Sequence, residues 1–118
     1  MVVKHTSGSL TMTTANRADL QQRCSAVIVG IGACGSCTRW VVKDAIELER
    51  SGTPTVSLYT QAFAILAVTV AKSEGMADLL NVLLPHPLNS LADDEVRSAA
   101  RASIDRVTQA LLAGPVPA

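Results

Sequence analysis

Three runs rich in β-branched and aliphatic residues, at 25–31, 55–60 and 79–84, alternate with segments of helical periodicity. Connections that carry a helix are too long for hairpins, so successive strands lie parallel and are joined by right-handed crossovers. The expected fold is therefore α/β: a small three-stranded parallel sheet with flanking helices, a Rossmann-like or flavodoxin-like half-domain. A short helix is expected at about 15–23. A second runs from Cys37 to Arg50, with Val41, Val42, Ala45, Ile46 and Leu48 toward the sheet and Arg39, Lys43, Glu47 and Arg50 toward water. Gly52 caps its carboxyl end. The segment 61–73 is apolar nearly all round, so one face covers the sheet and the other calls for a cover, expected from another subunit. Ser90-Leu91-Ala92-Asp93 reads as a capping box that opens a last helix to about Leu112, which Gly114-Pro115 stops.

Residues 1–13 are rich in Ser and Thr without apolar periodicity and read as a flexible leader, leaving 14–118 as one α/β domain. With 48% hydrophobic and 17% charged residues the chain has a core to bury and is not of disordered composition. Ten basic residues balance ten acidic ones, which argues against nucleic acid or an anionic membrane as partner. The longest apolar run, 62–68, is too short to span a bilayer, and the first residues lack a signal-peptide layout. A cytoplasmic location is expected, with a small-molecule substrate and an assembly, either a homo-oligomer or a heteromer with a larger subunit.

The chemistry concentrates after the first strand. Gly30-Ile31-Gly32-Ala33-Cys34-Gly35 satisfies the dinucleotide spacing G-x-G-x-x-G. The acidic residue that should meet the ribose at the end of the second strand is missing, since Tyr59, Thr60 and Gln61 stand there, so no dinucleotide and no other cofactor is expected. The glycines instead open a helix N-terminus to the close approach of an anion, and a thiolate fits that role. Cys34-Gly35-Ser36-Cys37 places two thiols one helical turn apart at that terminus. In this geometry the first sulfur is the nucleophile, activated by backbone N–H groups, and the second resolves the adduct. Zinc would need four ligands, and Cys24, His5 and His86 do not make a second paired knuckle, so no metal is expected. The competing reading is that both cysteines merely pack the turn.

His86 stands between two prolines past the third strand, on the same sheet edge as the Cys34 loop. It is read either as a general acid or base or as an exposed imidazole in a rigid corner. Gly32, Gly35, Ser36, Thr38, Thr60 and Gln61 reach that edge and are the candidates for substrate binding, although each threonine also suits an ordinary cap. Cys24 reads as structural, and Trp40 as a pocket wall or an interface residue.

The stretch 26–91 resembles the UGSC family, bacterial proteins named for a selenocysteine-Gly-Ser-Cys motif in which many members carry cysteine first. The motif stands here as Cys34-Gly35-Ser36-Cys37-Thr38. Supporting matches are Val29-Gly30-Ile31-Gly32, Trp40, Lys43-Asp44-Ala45, Glu49-Arg50-Ser51-Gly52, Pro54-Thr55-Val56, Phe63 and Pro85-His86-Pro87-Leu88. The resemblance implies that Cys34 holds the position of a redox-active or nucleophilic centre, because selenium replaces sulfur there in relatives. It names no substrate. Three readings follow: a thiol-dependent enzyme or subunit doing thiol–disulfide-type redox chemistry on a small molecule; a cysteine nucleophile for addition and elimination, lyase-like, within a two-component enzyme; and a non-catalytic interaction subunit.

Overall fold

The computed structural model describes residues 12–116. Among them the elements run α1 (Thr14–Arg23), β1 (Val27–Gly32), α2 (Gly35–Arg50), β2 (Thr55–Thr60), α3 (Ala64–Ser73), β3 (Asn81–Leu84) and α4 (Asp93–Leu112), with single 3-10 turns at Gln61–Phe63 and Leu88–Ser90. The three strands form one parallel sheet in the order β1-β2-β3, the α/β architecture expected from the alternating pattern.

Because each crossover steps one strand in the same direction, α2 and α3 lie on one face of the sheet. Val29 and Tyr59 from that face pack with Val41, Val42, Ala45, Ile46 and Leu48 of α2 and Ala67, Val70 and Ala71 of α3. The opposite face carries Val56, Val82 and Leu84, all buried, and α4 packs there on β3 and β2. Among the described residues β1 is an edge strand, with Ile28 and Ile31 exposed. Its register with β2 shifts between Val29 and Gly32, so that Gly32 comes opposite Tyr59.

The polar stripe of α2 is tied to its neighbours: Glu47 meets Arg17 of α1 at 3.2 Å and Arg50 at 3.3 Å, while Lys43 reaches Glu74 at 3.4 Å. At its end Gly52, with φ 87°, takes the left-handed conformation that lets Gly52 N–H donate to Glu49 O and Thr53 N–H donate to Leu48 O.

Several boundaries differ from the expectations. α2 begins at Gly35 rather than Cys37, because Cys34 itself caps it. The apolar segment 61–73 splits into the 3-10 turn and α3. β3 covers only the last four residues of 79–84, although Leu79 is buried in the core. The capping box at Ser90 does not form: Ser90 lies in the second 3-10 turn, α4 is capped at Ala92, and an alanine side chain accepts nothing. The reciprocal half remains, with Ala92 N–H donating to Glu95 Oε1 at 3.2 Å. Residues 1–11 of the segment read as a leader lie outside the described residues. Its last two are anchored: Thr13 Oγ1 accepts from Asn16 N–H, and Met12 N–H donates to Asp44 Oδ1 at 2.7 Å.

Candidate functional site

Cys34 sits in extended backbone at the N-cap of α2, and its Sγ accepts the N–H of Cys37 at 3.2 Å. That interaction engages one of the donors a helix leaves open at its first turn. Ser36 Oγ lies 3.6 Å from the same sulfur. Cys34 and Cys37 are joined as a disulfide across a Cα–Cα distance of 5.2 Å, and both are half-buried, so the pair closes at the protein surface rather than in the core.

The residues behind the disulfide explain why this turn is rigid. Thr38, fully buried, donates Oγ1 to Cys34 O at 2.8 Å, and its N–H donates to the same carbonyl at 3.0 Å. Gly32 lies against Thr38 so closely that a Cβ there would come within 2.6 Å of Thr38 Oγ1 and 3.0 Å of Tyr59 Cβ. Only glycine lets β1 run this near to α2. Gly35 has more room, its nearest foreign atom being Leu66 Cδ2 of α3, 4.0 Å from where a Cβ would stand.

On the far side of the same edge, Thr60 Oγ1 and His86 Nδ1 share a hydrogen bond of 2.9 Å. Phe63 meets the imidazole edge-on, with ring centroids 5.6 Å apart. The two contacts fix the ring and turn Nε2 away from Thr60. Cys34 follows β1 and His86 follows β3, two strand spacings away, or about 10 Å across the edge. An open groove of about 470 Å³ starts beside His86, at Pro85, and runs along the first turns of α4 past Leu91, Glu95 and Ser98.

The candidate residues thus divide in two. Cys34, Cys37, Gly35, Ser36, Gln61 and His86 are at least partly accessible. Gly32, Thr38 and Thr60 are buried, and the two hydroxyls already serve Cys34 and His86, so they hold those residues instead of facing a substrate. Cys24 is a free thiol, half-buried against the core after α1, and Trp40 is likewise half-buried against the core. The residue sequence reasoning missed is Phe63, whose signal was its place one turn after Thr60.

A family model described as the UGSC family matches residues 1–113, which take in the whole of this edge. The chain belongs to the UGSC family. In this UGSC protein the motif cysteines are the two that close the ring at the start of α2. Neither the comparison with curated proteins nor the one with solved structures finds a match.

Proposed function

We propose that this UGSC protein is a thiol-dependent redox enzyme, or the redox subunit of one, that cycles Cys34 and Cys37 between dithiol and disulfide. The observation that carries the reading is the sulfur of Cys34 at the N-cap of α2, where it accepts the N–H of Cys37 and stands within disulfide reach of that residue's thiol. A thiolate at such a position is stabilised by the open donors and by the helix dipole. In the reduced form Cys34 attacks a disulfide of the substrate, a mixed disulfide forms, and the displaced sulfur leaves. Cys37 then attacks Cys34, releasing the second substrate thiol and closing the ring seen here. His86, held by Thr60 and Phe63 across the edge from the pair, serves a substrate group that extends to it, with Nε2 as the proton-carrying atom.

The test is the pH dependence of alkylation of each cysteine, mapped by mass spectrometry on reduced protein. Cys34 is expected to react well below the ordinary thiol range of about 8.5, and Cys34 and Cys37 to become protected together after mild oxidation. Cys34→Ser abolishes turnover, and Cys37→Ser traps the mixed disulfide. Turnover that survives Cys37→Ser while Cys34→Ser is dead would replace redox cycling with addition and elimination at the same nucleophile.

A further inference from the structure

The three segments that reach the carboxyl edge of the sheet, 31–38, 60–69 and 84–92, contain no Asp, Glu, Lys or Arg. The nearest cation along the chain is Arg39, exposed one residue beyond the first of them. Asp93, Asp94 and Glu95 follow directly on the third segment, exposed at the start of α4, whereas the first two segments present aliphatic surface. Ile31, three residues before Cys34, is 46% exposed, and Ile65 and Val68 of α3 are 83% and 42% exposed. Leu66, the residue after Ile65, packs beside Gly35 between the two cysteines, so the first turn of α3 adjoins the disulfide, and Ile31 adjoins it along the chain. β1, which leads into Cys34, is an edge strand with Ile28 also 53% exposed, and no charged residue occurs from Ser25 to Thr38 to guard that edge.

We infer that the substrate of the Cys34–Cys37 pair is a disulfide carried by an uncharged, apolar segment of polypeptide, which lies over Ile31 and Ile65 and lines up along β1. This rests on the redox reading of the pair and adds the class of molecule on which it acts. A small acidic disulfide such as glutathione disulfide brings several carboxylates, and the edge offers them no cluster of cations. A polypeptide gains apolar contact with Ile31, Ile65 and Val68, and its main chain finds donors and acceptors along the side of β1 that no described strand pairs with. The exchange balances without another component: the protein dithiol loses two electrons and two protons, the substrate disulfide gains them as two thiols, and a dithiol reductant restores the starting state.

The experiment mixes the full chain, reduced with dithiothreitol and desalted, with four probes: hydroxyethyl disulfide, glutathione disulfide, and two short peptides with one internal disulfide flanked either by Val and Leu or by Asp and Glu. The rate of Cys34–Cys37 closure is read by alkylation quench and mass spectrometry. The apolar peptide is expected to react about tenfold or more faster than the acidic peptide and glutathione disulfide, the factor that burial of one large aliphatic side chain supplies. Ile65→Asp, and separately Ile31→Asp, are expected to lower the rate for the apolar peptide several-fold relative to that for hydroxyethyl disulfide. Glutathione disulfide reacting as fast as the apolar peptide, or an unchanged ratio in both variants, overturns the inference while leaving the redox pair intact. If not even hydroxyethyl disulfide closes the ring, the redox reading falls and this inference with it.

Discussion

Tyr59 shows how one residue of the frame is tuned by its surroundings. Its ring is buried between the sheet and α2, and burial pushes the phenol pKa up from its ordinary value of about 10. The folded chain therefore keeps that proton at a pH where the unfolded chain has begun to lose it. Stability from this group is complete below about pH 10 and is lost as the pH rises through the higher folded value. Tyr59→Phe keeps the ring and removes the ionisation, so its urea midpoint should fall less steeply than that of the parent between neutral pH and about pH 11. Equal slopes would show that the alkaline loss belongs to other groups.

At the scale of elements, the site depends on how closely β1 approaches α2. Gly32→Ala places a methyl group against Thr38 and Tyr59, both buried, and neither is a flexible end that swings aside. We expect a loss of roughly 2 kcal/mol or more in urea unfolding, with slower ring closure at Cys34–Cys37 because Thr38 is displaced from the Cys34 carbonyl. Gly35→Ala, with its nearest neighbour 4.0 Å away, should cost much less. The alternation of strands and helices was legible because a parallel sheet imposes it on the chain, and the cysteine motif was legible because its spacing is that of one helical turn. Less legible were the interactions that depend on distant partners. Asp44 lies on the apolar stripe of α2, three residues after Val41 and four before Leu48, and that placement was the signal that it would be buried. What it holds, Met12 N–H, lies 32 residues away. The start of α4 was misplaced because Ser90 carries a hydroxyl suited to a cap, whereas the turn at Leu88–Ser90 puts Ala92 at that position.

For the whole molecule, Glu49 is the point where separate parts of the chain are fastened. Nearly buried at the end of α2, it accepts Thr55 N–H at 2.8 Å and Thr55 Oγ1 at 3.0 Å on one oxygen, and Val116 N–H at 2.6 Å on the other. It thus joins α2, the start of β2 and the segment after α4. Glu49→Ala leaves those donors without their acceptor and should lower stability by about 3 kcal/mol, and Glu49→Gln, which keeps one acceptor, by less; urea unfolding of the two variants checks the order. The molecule also contains a single tryptophan, Trp40, one helical turn beyond Cys37 and half-buried in the first turns of α2. Disulfides quench indole emission at short range, so the intrinsic fluorescence of the unlabelled protein is an optical gauge of how many molecules in a sample hold the ring open.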